Sequence, residues 1–149
     1  MSRTTRLPQK LPDRSPEPHV FNINEATLEN PNFRTVVFTG RYSQTALMSI
    51  PAGGDIGAEA HPNADQFIYI VSGRALIKLG TCMEKMDVSR SAGCGYAVEI
   101  PAGIYHNVIN AGGGPLKLFT IYAPPQHPRG EINPTKEDAQ AAERRHART

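Results

Sequence analysis

The chain has 149 residues, of which 39% are hydrophobic and 20% are charged, a composition typical of one globular domain. Its net charge is +2 and its basic residues are not clustered, so we expect no nucleic-acid partner. It has no apolar run of about eighteen residues, so we expect no membrane partner. Two cysteines, Cys82 and Cys94, are too few for a disulfide scaffold, and residues 1–10 lack the apolar core of a secretory signal, so we expect free thiols in a cytoplasmic protein.

The first eighteen residues differ from those that follow. Residues 1–18 are polar and rich in proline, which predicts a disordered or extended N-terminal arm. From residue 19 to 126, short apolar segments alternate with turn residues such as those at 51–54 and 124–125. The predicted strands are, in chain order, 34–40, 44–50, 67–71, 75–79, 96–100, 105–109 and 116–122. This pattern predicts an all-β antiparallel sandwich or barrel over residues 19–126.

Two segments do not follow the strand pattern. Residues 81–91 have no clear period, and we expect a loop or an irregular hairpin there. Residues 127–149 form a tail in which Thr135 is placed to cap a short helix over 136–145, with Asp138 completing a near capping box. Because this helix has almost no large apolar residues, we expect it to lie on the surface or to dock weakly. No other helix is predicted.

Four polar residues near the predicted turns carry the chemistry. Glu59 and His61 are two positions apart, so in an extended strand they point to the same face. A reversal at residues 63–65 would bring Gln66 close to His61, and His106 follows the turn at 101–103. Two imidazoles, a carboxylate and an amide suit one divalent transition metal, such as Mn, Fe, Co, Ni or Zn. Each of these residues alone would be ordinary, so the hypothesis depends on their joint spacing.

The spacing resembles the two motifs of the cupin family. The first motif is matched, with Glu in place of its first His and Gln in place of its Glu, by Gly53, Glu59, His61, Gln66 and Gly73. The second motif is matched without a departure by Gly95, Pro101, Gly103, His106 and Asn110. The resemblance covers about residues 45–125 and is strongest to small single-domain cupins of the mannose-6-phosphate-isomerase-like group. It implies a cupin jelly roll, the double-stranded β-helix, with the metal on Glu59, His61, Gln66 and His106.

Three functions are compatible with this resemblance. The one we favour is a metal-dependent isomerase, cyclase or lyase acting on a small oxygen-rich molecule, with Glu59 as a candidate catalytic group. The second is a non-haem metal dioxygenase, because two His and one carboxylate leave coordination positions open. The third is a non-catalytic cupin that binds a metabolite or a metal. In each case one carboxylate against a dication leaves positive charge, which favours an anionic or chelating small-molecule ligand.

The strand parity makes a further prediction about assembly. Ile68 and Ile70 share parity with Gln66 and should point inward, whereas Phe67, Tyr69 and Val71 should point outward, into a dimer interface. Small cupins pair through such sheet faces or through exchanged N-terminal strands, for which residues 20–23 are the candidate here. We therefore expect a homodimer.

Overall fold

The computed structural model describes residues 13–147, so residues 1–12 of the predicted arm and 148–149 of the predicted tail lie outside the described residues. The described part contains nine strands and two helices: α1 (Ile23–Glu29), β1 (Arg34–Thr39), β2 (Gln44–Ile50), β3 (Asp65–Ser72), β4 (Arg74–Gly80), β5 (Val88–Gly93), β6 (Ala97–Ile100), β7 (Tyr105–Asn110), β8 (Leu116–Ala123), β9 (Ile132–Asn133) and α2 (Lys136–Ala147).

The strands form two antiparallel sheets. One has six strands in the order β6-β3-β8-β2-β1-β9, and the other has three in the order β5-β4-β7. Ile68 and Ile70 of the larger sheet belong to the same buried cluster as Ile77 and Val108 of the smaller one, so the two sheets pack face to face around one apolar core. The predicted all-β architecture is confirmed.

Strand β3 shows how the sequence positions this core. Ile68 and Ile70 are buried and point inward, as their parity predicts. Phe67 and Tyr69 lie on the opposite face, where both rings contact Phe119 of β8. Val71 departs from the expectation that it points outward, because the pairing register with β8 shifts between Ile70 and Ser72 and leaves Val71 buried.

Helix α1 was not predicted. Asn22 caps it by accepting a hydrogen bond from the backbone of Glu25, and the helix contacts strands β2, β3 and β8. At its end, the Lys117 side chain donates to the backbone oxygen of Asn30 from the outer face of β8. Within the single chain, residues 20–22 are not in a strand and Ile23 begins α1. Exchange of the segment 20–23 between two copies stays a prediction. Homodimerisation through a sheet face stays a prediction.

The last part of the segment 81–91, which was expected to be a loop or an irregular hairpin, belongs to strand β5. It begins at Val88 and pairs with β4 from Leu79 to Arg74. Its first four residues are exposed, so no apolar face marks it in the sequence. The pairing edge of β4 therefore determines this strand, rather than an alternation of its own.

Both tails contact the sandwich where they are described. Asp13 accepts hydrogen bonds from the side chain of Thr39 and from the backbone of Gly130, and Ser15 accepts one from the backbone of Thr39. Residues 13–15, at the end of the predicted arm, are therefore fixed to the end of β1. No helix among residues 13–147 is long and apolar enough to cross a membrane.

Helix α2 has the predicted start, with Thr135 and Asp138 exchanging hydrogen bonds as a capping pair. The helix lies on the surface and docks through a narrow face, as expected. Ala139 and Ala142 are buried, and Ala139 belongs to the main core cluster. Small side chains on this face let the helix backbone approach the sandwich closely, which large apolar residues are not needed to achieve.

Candidate metal centre

The first two candidate ligands lie on the extended segment between β2 and β3. Residues 54–59 of this segment run antiparallel to β7, and the backbones of Glu59 and His106 exchange two hydrogen bonds of 3.0 and 2.9 Å. This bridge places Glu59 directly opposite His106. Two residues far apart in the sequence are thus brought together by backbone pairing alone.

His61 is held by the turn that precedes β7. The backbone N–H of Gly103 donates to the backbone oxygen of His61 at 2.9 Å, and the backbone N–H of Ala102 donates to the Asp65 carboxylate at 3.0 Å. Gly103 has a φ of +87°, a conformation that favours glycine. The turn at 101–103, which belongs to the second motif, therefore fixes the position of His61, which belongs to the first.

The three side chains converge on one point. Oε2 of Glu59 lies 3.5 Å from Nε2 of His61 and 3.5 Å from Nε2 of His106. One ligand atom from each of the three residues falls within 4.8 Å of the other two. Such a triangle leaves room for an ion bound by nitrogen and oxygen at about 2.0–2.2 Å.

The histidine nitrogens at this point are available. Nδ1 of His106 lies 3.0 Å from the backbone oxygen of Ile104, which can only accept, so Nδ1 carries the proton and Nε2 has a free lone pair in the neutral ring. Nε2 of both His61 and His106 is buried and has no hydrogen-bond partner among the described residues. Buried polar atoms are normally satisfied, so these two orphaned nitrogens fit a site made for a metal.

Glu59 supplies the negative charge of the site. Burial alone would raise the pKa of Glu59. When Nε2 of His106 and of His61 carry protons, their hydrogen bonds and charges, at 3.5 Å from Oε2, outweigh burial and hold the pKa of this carboxyl well below its usual range. The carboxylate is therefore ionised and available as an anionic ligand.

Gln66 begins β3 beside the triangle and is buried. Its amide nitrogen donates to Oγ1 of Thr120 at 3.0 Å, and its Oε1 has no hydrogen-bond partner among the described residues. With the nitrogen fixed in this way, the oxygen is the atom left for a ligand. Its place as a fourth metal ligand stays a prediction.

Several polar residues around the centre were not predicted to take part in it. The Tyr122 ring packs edge-on against His61 at 5.5 Å and against His127 at 5.0 Å, as ring centroid distances. Burial raises the pKa of Tyr122 to about 12, and burial together with the charge of Arg34 lowers the pKa of His127 to about 3. Both side chains are therefore neutral at neutral pH. No motif marks Arg34, His127 or Glu143, which the fold brings here from outside the motif region.

Glu59 lines two cavities among the described residues. The larger, of about 410 Å³, is lined by Glu59, His61, Gln126, His127, Pro128, Glu143, His146 and Ala147. The smaller, of about 130 Å³, lies between Glu59, β1 and α2, and Arg34 lines it. Glu59 and Glu143 line both cavities. A molecule bound in the larger cavity would thus have access to the candidate ligands, while α2 forms part of its wall.

Comparison with known proteins identifies the family. The family model "Cupin domain" matches residues 46–122. The uncharacterized protein YrkC of Bacillus subtilis (strain 168) is 50% identical over 133 residues, which cover 89% of this chain and 72% of YrkC. The chain belongs to the cupin family, as its motifs predict.

Solved structures agree with this assignment. The crystal structure of BH2720 from Bacillus halodurans is 46% identical to this chain, covers 88% of it and 99% of its own length, and superposes with a TM-score of 0.87. The oxalate decarboxylase of Bacillus subtilis, which has Mn(II) centers, is 22% identical and superposes with a TM-score of 0.51 over 59% of this chain and 23% of its own. At that identity the likeness shows the fold alone. The predicted cupin jelly roll is confirmed.

Proposed function

We propose that this cupin is a metal-dependent enzyme, an isomerase, cyclase or lyase that acts on a small oxygen-rich metabolite. The observation that carries the proposal is the convergence of Glu59, His61 and His106 within 4.8 Å, with two orphaned histidine nitrogens. One divalent transition metal would be held by these three residues, with Gln66 as the fourth. When bound, such an ion supplies a Lewis acid that polarises a carbonyl or enediol oxygen.

The protein residues have separate roles in this proposal. The cavity of about 410 Å³ receives the substrate beside Glu59 and His61, and the neutral ring of His127 forms part of its wall. Glu59 is the candidate to take a proton from the substrate, because its side chain is 25% exposed and lines that cavity. To do so it must have an oxygen that is not engaged in holding the metal, so this role requires an exchangeable Glu59.

Metal content provides the direct test. We expect untagged wild-type protein, purified without chelator, to contain about one transition-metal ion per chain by elemental analysis, and His61→Ala to lose most of it. His19→Ala is the matched control, because His19 packs on Phe21 and takes no part in the site. Equal, substoichiometric metal in the wild type and in His61→Ala would contradict the site.

Turnover separates an enzyme from a binding protein. Metal-loaded protein would be incubated with small hydroxy acids, keto acids and sugars, and the products followed by NMR. We expect product signals that disappear with chelator and return with metal. A metabolite that co-purifies with the protein and is never converted would instead identify a non-catalytic cupin.

A dioxygenase is the second candidate, favoured by one observation. The three charged or imidazole ligands form a two-His-one-carboxylate set, the arrangement that non-haem iron oxygenases use. Oxygen uptake by ferrous-reconstituted protein in the presence of a substrate tests it. Oxygen uptake coupled to loss of the substrate would identify a dioxygenase and contradict the Lewis-acid proposal. Turnover under anaerobic conditions would support the Lewis-acid proposal and contradict the dioxygenase.

A further inference from the structure

Arg34 has an unusual environment for a cation. It begins β1, is 3% exposed, and its Nε and Nη1 atoms are buried without a hydrogen-bond partner among the described residues. The Tyr122 side chain is a hydrogen-bond partner of the same guanidinium and leaves these two donors unpaired. Burial alone would lower the pKa of Arg34, but Tyr122, Glu59 and Glu143 outweigh it and raise the pKa, so the charge itself is balanced. The two unpaired N–H donors are not, because a buried donor without an acceptor is unfavourable.

The carboxylate nearest in the described structure does not fill this need. Oε2 of Glu143 lies 3.9 Å from Nη1 of Arg34, which is too long for a hydrogen bond, and the Glu143 side chain is 52% exposed. A pair with one exposed partner at this distance contributes little. The guanidinium therefore keeps its hydrogen-bonding capacity for another group.

The unpaired donors belong to a residue that lines the cavity next to Glu59. The cavity of about 130 Å³ has Arg34 and Glu59 in its wall. Lys136 lines it too, but its Nζ donates to the carboxylate of Asp55 at 2.5 Å, so this ammonium already has an anionic partner. Of the two cations in this wall, Arg34 is the one with nitrogen donors left unpaired.

We propose that Arg34 binds a carboxylate group of the substrate, and that the substrate is a small acid with a second oxygen donor directed to the metal centre. This inference rests on the proposed function for the second contact only. A planar guanidinium binds a carboxylate through two parallel hydrogen bonds, which a lysine ammonium does not reproduce. Arg34 would thus select acids over neutral sugars and polyols of the same size.

Paired probes test this contact. Oxalate, malonate, succinate and glutarate would each be compared with the monomethyl ester, which lacks one negative charge, by calorimetry on metal-loaded protein at neutral pH. We expect at least one diacid to bind about tenfold more tightly than its ester, because a hydrogen-bonded charge pair is lost in the ester. In Arg34→Met that preference should disappear, and in Arg34→Lys it should be partly kept.

Controls separate Arg34 from the general field of the cavity. Lys136→Met removes the other cation of the same wall and should leave the diacid preference intact. Glu143→Gln removes the nearby negative charge and should strengthen diacid binding. Circular dichroism and thermal melts establish whether each variant is folded. If Arg34→Met does not fold, the comparison of wild type with Arg34→Lys still tests the contact.

The outcomes distinguish this inference from the proposed function. The same titrations are repeated on chelator-treated protein, and metal content is measured for every variant. An ester penalty that depends on Arg34 in protein that never binds metal would support the anion site and contradict the metal enzyme. Full metal loading with no diacid preference, or with a preference that survives in Arg34→Met and Arg34→Lys, would overturn the inference and leave the metal site standing.

Discussion

Two regions meet at Glu59, and they are held in different ways. The ligand region, which we define as β3, β7 and residues 54–61, is joined by backbone hydrogen bonds such as those between Glu59 and His106. The wall region is defined as Arg34, residues 126–128 and α2. Arg34 belongs to β1 and is paired with β2 and β9, whereas the rest of this region approaches through side chains: the buried alanines of α2, the loose contact of Glu143 with Arg34 and the ring contact of His127. The ligand region lies within the family match at 46–122, and the wall region lies outside it.

This difference has a consequence for function. Backbone pairing fixes the geometry of the candidate ligands with little dependence on the side chains around it, so under the proposed function it would constrain which metal binds. Apart from Arg34, the wall region is positioned by side chains that can change without disturbing the sheets, so under the proposed function it would constrain which molecule binds beside the metal. We therefore expect metal binding and substrate choice to be separable by mutation.

The largest expected effect concerns stability. Ile70 is fully buried in β3, so Ile70→Ala should lower the free energy of unfolding by about 2–5 kcal/mol. Ala139→Leu, which overpacks the contact of α2 with the core, should cost less, about 1–3 kcal/mol. Urea denaturation of chelator-treated protein measures both. If Ala139→Leu cost as much as Ile70→Ala, the wall region would be as integral to the folded unit as the sheets.

Metal binding should depend on one region only. His106 is 1% exposed with an orphaned Nε2, and we expect His106→Ala to weaken metal binding by at least about 100-fold, since a ligand should matter at least as much as the groups that orient it. His127→Gln is the matched control, because His127 is also buried with an orphaned Nε2 but belongs to the wall region. Competition with a fluorescent chelator measures both affinities. Equal losses in the two variants would place His127 among the ligands and break the distinction.

The same contrast explains what the sequence could predict. Glu59, His61 and His106 are recognisable because motif spacing reflects local backbone geometry: a two-residue period along an extended segment and a turn before a strand. Their convergence in the structure agrees with that reading. Gln66 was predicted by the same frame, and its free oxygen is compatible with the prediction without testing it.

The elements that were missed lack such local signals. Helix α1 has seven residues, too few for an apolar period to be distinguished from a loop, and β5 has its first four residues exposed. Arg34 reads as an ordinary strand residue, since nothing near it in the sequence shows that α2, more than a hundred positions later, will pack beside it. Local sequence patterns therefore could not predict contacts between distant segments that share no backbone pairing.

The smallest expected effect lies in the ion pair that joins the two regions, Asp55 of the ligand region and Lys136 of α2. Burial alone would raise the pKa of Asp55, but hydrogen bonds from Lys136 and Asn107 and the charge of Lys136 outweigh it and lower the pKa. A carboxyl whose pKa is lowered by folding stabilises the protein above its unfolded pKa of about 3.9, and this contribution is lost as the pH falls through the folded value. Both side chains are about a third exposed, so we expect Asp55→Asn to cost at most about 1 kcal/mol at neutral pH.

Urea midpoints of wild type and Asp55→Asn should then differ by a constant amount from neutral pH down to about pH 5 and converge below about pH 4. Lys136→Met should show a similar convergence, because it removes the same interaction from the other side. A difference that persisted unchanged in strong acid would mean that Asp55 acts through its shape and its bond to Asn107, and that charge does not join α2 to the ligand region.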